Sequence, residues 1–330
     1  MSKQGYRIVS GMRPTGPLHL GHYFGVLQKW IELQQNTECL FFIADWHALT
    51  SEYADPGSIR ENTFQLLLDW LAAGLDPEKS VFFLQSRIKE HAEFHLLLSM
   101  VTPLGWLERN PTYKEIKQEL VAKDLNTLGF LGYPVLQTAD ILMYHGNRVP
   151  VGEDQLPHLE LSREITRRFN SFYGDYFPEP KPLLTESARL PGLDGRKMSK
   201  SYDNAVFLDE GQKSLQQKIK SMLTDTHRMR LKDPGDPDKC NLFPYLRLIG
   251  PQLEESEIRK ACAGATRGCM DCKKLLLQSM EAFLEPIREK RRELENDPDT
   301  VRDILESGTE KASSMARDTM EEVRSRVSMP

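Results

Sequence analysis

Three short apolar runs, Tyr6-Arg7-Ile8-Val9-Ser10, Cys39 to Ala44 and Val81-Phe82-Phe83-Leu84, alternate with stretches of helical periodicity, and this alternation limits the fold most. The helical stretches run from about Leu20 to Gln35, from Ser58 to Ala73 with Gly74 as a stop, and around His91 to Met100. A βαβαβ order of this kind predicts a parallel sheet with right-handed crossovers and ligands bound beyond the carboxyl ends of its strands. From Thr102 to about Gly146 the alternation breaks at Pro103, Pro111 and Pro134, which predicts an insertion over about residues 103–175. Val151 to Tyr173 reads as a loop entering a helix, Pro178 to Pro191 as an extended segment, and Gly195 to Asn204 as a polar loop. Everything after about Val206 reads as helix, with Leu275-Leu276-Leu277, Met280 and Phe283 to Ile287 as the buried stripe. The expected fold class is α/β: a Rossmann-like doubly wound parallel sheet over residues 1–205 with an inserted segment, followed by all-helical parts at 206–295 and 296–330.

At 330 residues, with 39% apolar and 28% charged content, the chain is long enough to bury a sizeable core. No stretch approaches the roughly 20 apolar residues that cross a bilayer, and Met1 to Gly5 shows no signal-peptide pattern, so a cytoplasmic protein without membrane contact is expected. A net charge of -5 gives no global attraction to nucleic acid, and any such contact must rest on local basic patches.

After the first strand, Gly11-Met12-Arg13-Pro14-Thr15-Gly16-Pro17-Leu18-His19-Leu20-Gly21-His22 turns the chain into a helix start, whose free N–H groups favour an anion. His19 and His22 fall on one helical side and can both donate to phosphate oxygens, while Gly21 is expected to leave the backbone open to a nucleotide. An HxGH segment alone recurs by chance. Lys197-Met198-Ser199-Lys200-Ser201 adds the complement, because two lysines on a polar loop can neutralise charge that develops on pyrophosphate.

Together the two segments resemble the class I aminoacyl-tRNA synthetase signature. The resemblance implies formation of an aminoacyl-adenylate from ATP and esterification of tRNA, with His19, His22, Lys197 and Lys200 catalytic, Mg²⁺ on the phosphates and no protein nucleophile. Arg13-Pro14-Thr15-Gly16, Asp45-Trp46-His47-Ala48, Tyr133-Pro134-Val135-Leu136-Gln137-Thr138-Ala139-Asp140-Ile141-Leu142 and Val149-Pro150-Val151-Gly152-Glu153-Asp154-Gln155 look further like segments of bacterial-type tryptophanyl-tRNA synthetases. That family resemblance implies that Asp140 accepts the indole N–H, a group that only donates, and that Tyr133, His47, Gln137 and Gln155 complete the pocket. It implies ATP contacts from Arg13, Pro14, Thr15, Gly21, His22, Gly152, Glu153, Asp154, Leu190, Lys197, Met198, Ser199, Lys200 and Ser201. It also implies L-tryptophan and tRNA(Trp) as partners, a homodimer, an anticodon-binding role for 206–295 and a C-terminal helix packed back on the catalytic part. Tyrosyl-tRNA synthetase is the nearest rival, since it shares the architecture and also uses an aspartate. A small-molecule adenylyltransferase would lack the lysine loop and the helical tail.

Cys240, Cys262, Cys269 and Cys272 are separated by twenty-one, six and two residues. Four thiolates with a terminal C-x-x-C suit one metal centre, for which chemistry alone favours structural Zn²⁺ and leaves an iron-sulfur cluster open. Similarity to a subset of the same family shifts the expectation to a 4Fe-4S cluster. Cys39 reads as a core residue. Arg228, Arg230, Arg267, Lys273, Lys274, Arg288, Lys290 and Arg291 are candidate phosphate contacts.

Overall fold

The computed structural model describes residues 5–111, 124–152, 155–184, 190–250 and 255–330. Its frame is a sheet of five parallel strands in the order β3-β2-β1-β4-β5, built from β1 (Arg7–Met12), β2 (Glu38–Ile43), β3 (Ser80–Leu84), β4 (Arg148–Val151) and β5 (Lys181–Leu184). From β1 the order runs to β2 and β3 on one side and to β4 and β5 on the other. Loops leaving the carboxyl ends of β1 and β4 therefore diverge, which opens a crevice there.

The three apolar runs are the strands expected of them. The other two strands are shorter and carry Pro150 and Pro182, so neither shows the apolar run or the alternation of a strand. Most of β5 is exposed at the sheet edge, where proline is tolerated. The insertion expected over about 103–175 is therefore shorter, because β4 lies within that range and pairs with β1.

Alternate strand residues feed two cores. Ile8, Phe41, Ile43 and Phe82 pack with Trp30 and Trp70 on one face, where Trp30 stacks on Phe41 at 4.2 Å between ring centroids. Val9, Leu40, Phe42 and Phe83 pack on the other. Helices α1 (Leu20–His22), α2 (Gln28–Leu33), α3 (Asp45–Glu52) and α4 (Ile59–Ala73) follow the first two strands, and Gly74 ends α4 at φ +112. A π-helical turn, Tyr23–Leu27, joins α1 to α2 directly behind the two histidines. Next come α5 (Glu90–Val101), α6 (Leu104–Arg109), α7 (Leu128–Leu131), α8 (Tyr133–Met143) and α9 (Leu156–Tyr173).

The remaining helices are α10 (Gln212–Ser221), α11 (Phe243–Ile249), α12 (Glu255–Ala263), α13 (Cys269–Glu295) and α14 (Pro298–Arg326). Leu276, Met280, Leu284 and Ile287 of α13 belong to the first core, so the helical part and the sheet share one interior. Helix α14 lies on the edge strand β3. There the Thr309 hydroxyl accepts the Leu84 N–H at 3.3 Å and Gly308 meets the Phe82 backbone.

That contact leaves no room for a side chain, because a Cβ on Gly308 would stand 1.9 Å from the Phe82 carbonyl oxygen. Gly308→Ala is expected to destabilise the fold by about 1–3 kcal/mol and to lower the melting temperature by several degrees. An unchanged calorimetric Tm would show that α14 does not rest on β3.

Candidate active site

The crevice beyond β1 is lined by the glycine-rich turn and α1. His19 caps the helix start: the His22 N–H donates to the His19 carbonyl at 2.8 Å, and the His19 N–H donates to His22 Nδ1 at 3.2 Å. The two rings face each other 3.7 Å apart, as the i, i+3 spacing predicts. Burial first, and then the Lys200 ammonium, lower the His19 pKa to about 4. Burial, His19 and Lys200 likewise hold His22 well below the usual histidine range. Both shifts favour the neutral ring, in which one nitrogen carries an N–H donor and the other accepts.

The lysine loop closes on this turn. Met198 is buried with its Sδ 3.3 Å from the Gly21 backbone nitrogen, across a separation of 177 residues. A Cβ on Gly21 would stand 2.9 Å from the His19 ring and 3.5 Å from Met198 Sδ. The space expected for a nucleotide beside Gly21 is thus occupied by the chain's own side chains. Beyond the loop, the chain runs antiparallel to the turn, with Leu20 N donating to Val206 O and Leu208 N to Leu18 O, each at 2.9 Å.

Lys200 is half-buried, and its Nζ would stand 3.2 Å from a Cβ on Gly16, whose φ of +117 already excludes one. Burial lowers the Lys200 pKa to about 8, with Asp69 opposing the shift and Arg13 adding to it. The side chains of Lys197, Arg13 and Thr15 are exposed, while Pro14 and Leu190 are buried and Ser199 is half-buried. Glu153, Asp154 and the side chain of Ser201 lie outside the described residues.

Residues that the sequence did not single out hold this loop. Asn204 is buried: its Oδ1 accepts the Ser199 N–H at 2.8 Å, and its Nδ2 donates to Lys197 O at 3.1 Å and to Asp194 Oδ1 at 2.8 Å. From the helical part, Asn241 Nδ2 donates to Gly192 O at 2.8 Å and Leu193 O at 3.1 Å, and the Tyr245 hydroxyl donates to Pro191 O. On the opposite wall the Leu18 N–H, one residue before His19, donates to buried Asp69 Oδ2 at 2.9 Å, while Asp69 Oδ1 pairs with Arg291. Arg288 and Arg291, read as candidate phosphate contacts, are instead buried in this interior.

Deeper in the crevice, Tyr133, Gln137 and Asp140 recur at i, i+4 and i+7 on one side of α8. Asp140 is fully buried, with Oδ2 2.7 Å from His47 Nε2, Oδ1 2.6 Å from His91 Nδ1, and Gln85 Nε2 bridging both oxygens at 2.9 and 2.8 Å. Burial alone would raise its carboxyl pKa. The hydrogen bonds from His47 and His91 outweigh it and hold the group ionised, well below the usual carboxylate range. The His47 and Tyr133 rings lie 4.3 Å apart, and Gln137 Oε1 is buried without a partner among the described residues. Gly152 and Gln155 lie between β4 and α9, with Gln155 N donating to Gly152 O at 3.0 Å.

The four cysteines come from three places: Cys240 after the turn Pro237–Lys239, Cys262 in α12, and Cys269 and Cys272 in the first turn of α13. Burial first, then the sulfurs of Cys240, Cys262 and Cys269, push the Cys272 thiol up to about 11 against the pull of Arg267. They share a neighbourhood. Among the described residues, however, no group of three or more His, Cys, Asp or Glu side chains is arranged to hold a metal ion, so the thiols fit such a centre in chemistry but not in spacing.

This fold and site define a class of proteins: residues 1–285 match the family described as class I tRNA synthetases (W and Y), and the chain belongs to that family. Within it, the chain is 53% identical to the tryptophan–tRNA ligase of Thermotoga maritima over 96% of this chain and 98% of that one. It is 46% identical to the tryptophan–tRNA ligase of Aquifex aeolicus, covering 98% and 100% of the two chains. Tryptophanyl-tRNA synthetase from Campylobacter jejuni, solved with ADP and tryptophan, superposes with a TM-score of 0.88 at 34% identity, covering 98% and 100%. No helix among the described residues is long and apolar enough to cross a membrane.

The lowered Lys200 pKa has a readable consequence. In the free protein the ammonium is intact below about pH 8 and is lost as the pH rises through that value. The kcat/KM for ATP is therefore expected to fall on the alkaline side, while kcat, which reports the phosphate-bound state, falls later. Lys200→Arg should push that alkaline limb upward, since guanidinium stays charged. A pH profile of ATP–pyrophosphate exchange checks this; a limb that is the same in both proteins would assign the ionisation elsewhere.

Proposed function

We propose that the chain ligates tryptophan to tRNA(Trp), first forming tryptophanyl-adenylate and pyrophosphate from L-tryptophan and ATP, then esterifying the terminal adenosine of the tRNA. The observation that carries this is the Met198–Gly21 contact, which sets Lys200 beside the neutral His19 and His22 pair at the crevice end of β1. The tryptophan carboxylate attacks the α-phosphorus in line, so the protein's contribution is positioning and charge. His19 and His22 donate to phosphate oxygens. Lys200 and Lys197 take up the charge that develops on the leaving pyrophosphate. Mg²⁺ arrives on the phosphates and supplies further charge neutralisation.

Asp140 receives the indole N–H in a pocket that includes Tyr133, His47, Gln137 and Gln155. The buried, ionised carboxylate supports this, because it can only accept and so favours a side chain that brings a donor. Arg13, Pro14, Thr15, Gly152, Glu153, Asp154, Leu190, Ser199 and Ser201 complete the ATP site in this reading. Residues 1–205 carry the chemistry, 206–295 meet the anticodon and 296–330 brace the catalytic part. The protein works in the cytoplasm as a homodimer, and the exposed apolar side chains of Leu96, Met100 and Leu104 support a subunit contact. The four cysteines are assigned to a 4Fe-4S cluster, with Zn²⁺ as the alternative; their common neighbourhood supports one soft centre away from the adenylate chemistry.

Amino-acid-dependent ATP–pyrophosphate exchange tests the main reading. Exchange is expected with tryptophan and not with tyrosine or phenylalanine, and silence with tryptophan would overturn it. Lys200→Ala should lower kcat by about 100-fold or more while leaving the tryptophan KM nearly unchanged. For the cysteines, anaerobically purified protein is expected to contain iron and acid-labile sulfide; stoichiometric zinc without iron would replace the cluster by the alternative.

A further inference from the structure

Behind Asp140 stands a second pair of buried groups that the chemistry above does not use. His91 and Tyr144 are both 0% exposed, and His91 lies between the carboxylate and the phenol, with Nδ1 2.6 Å from Asp140 Oδ1 and Nε2 2.7 Å from the Tyr144 hydroxyl. With a neutral imidazole, one tautomer turns both contacts into hydrogen bonds. In it His91 Nε2 accepts the phenolic proton of Tyr144. The ring proton then sits on Nδ1 and is donated to Asp140. The opposite tautomer would set a lone pair against the carboxylate and an N–H against the hydroxyl proton. Tyr144 itself stays protonated, because burial and the nearby Asp140 charge push its pKa well above the usual phenol range.

A carboxylate offers about four lone-pair positions. His91 and His47 take one on each oxygen, and Gln85 bridges the two with a single amide nitrogen. Every protein contact is thus a donor, two on each oxygen, and an incoming donor takes the place of one leg of the Gln85 bridge. We propose that Tyr144 and His91 are positioning residues that lock Asp140 as an acceptor-only carboxylate, and that this lock selects an amino acid whose side chain presents a hydrogen-bond donor. The proposal rests on the reading that Asp140 faces the amino acid.

Tyr144→Phe deletes only the hydroxyl and frees the His91 ring to change tautomer. Exchange kinetics are compared for tryptophan and for its sulfur isostere, 3-benzothienyl-alanine, which has the same shape without the ring N–H. Wild type is expected to prefer tryptophan strongly. In Tyr144→Phe that preference in kcat/KM should contract by about tenfold through the tryptophan KM, with kcat and the ATP KM little changed. His91→Leu, which removes the donor itself, should contract it further. A side chain that only fills volume would move both amino acids alike, so an unchanged ratio in Tyr144→Phe overturns the lock. The ratio is internal to one preparation and survives partial loss of folded protein. Wild type that fails to exchange tryptophan, or treats the isostere equally, overturns the underlying reading of Asp140 instead.

Discussion

Asp69 is a carboxylate in the apolar middle of α4, and the position of the histidine turn depends on how it is satisfied. Burial raises its pKa to about 6 even with Arg291 and the Leu18 N–H pulling the other way, which measures how poorly that interior solvates a charge. The charge persists because Leu18 donates to one oxygen and Arg291 to the other, with Gln65 holding the same guanidinium. Removing one partner of such a pair generally costs about 3–5 kcal/mol, more than the pair contributes relative to a well-packed apolar replacement. Its use here is therefore geometric: α4, the residue before His19 and α13 are held at one fixed spacing.

The opposite wall has a similar support. The stem of the lysine loop, Pro191 to Leu193, is held by Tyr245 and Asn241, and Asn204 fixes the loop from inside through both ends of its amide. Gly192 makes this possible, since a Cβ there would lie 2.2 Å from Asn204 Nδ2. Asn241 directly follows Cys240, so the neighbourhood of the four thiols is one residue from the loop's anchor. The helical part thus helps to build the crevice beyond β1, because Arg291 braces one wall and Asn241 with Tyr245 the other.

The sheet could be read from the sequence where strands are long and apolar. β1, β2 and β3 each bury a hydrophobic set, whereas β4 and β5 are short, Pro-bearing and specified by their neighbours. The signature residues were readable because their chemistry depends on local spacing: His19 with His22, and Tyr133 with Asp140 on one helical face. Their supports were not, because His91, Tyr144 and Gln85 meet across the fold and Asn204 acts through the backbone of its own loop. Asp69 did leave a trace, as a charge inside Leu66-Leu67-Leu68-Asp69-Trp70-Leu71, where only a buried partner makes sense. Arg291 misled for the converse reason: a basic residue on a polar helix looks solvated until the facing carboxylate, here Asp69, is known, whereas Arg288 pairs with Glu281 and Glu285 of its own helix.

The crevice divides its electrostatics between its two ends. At the phosphate end the histidines are kept neutral by burial and by Lys200, so positive charge is concentrated on the loop lysines and Arg13 and not on the rigid turn. At the amino acid end a buried negative charge is held ionised by donors on every side. The rigid turn therefore supplies direction, through fixed N–H donors, while the loop supplies charge. Asn204, Asn241 and Tyr245 fix the loop and its stem, and the loop itself meets the turn through one thioether against one backbone N–H. Such a contact is weak and tolerant of displacement, whereas the network around Asp140 consists of short, charge-assisted bonds that are not. The bonding around the buried carboxylate is thus the more sharply specified of the two.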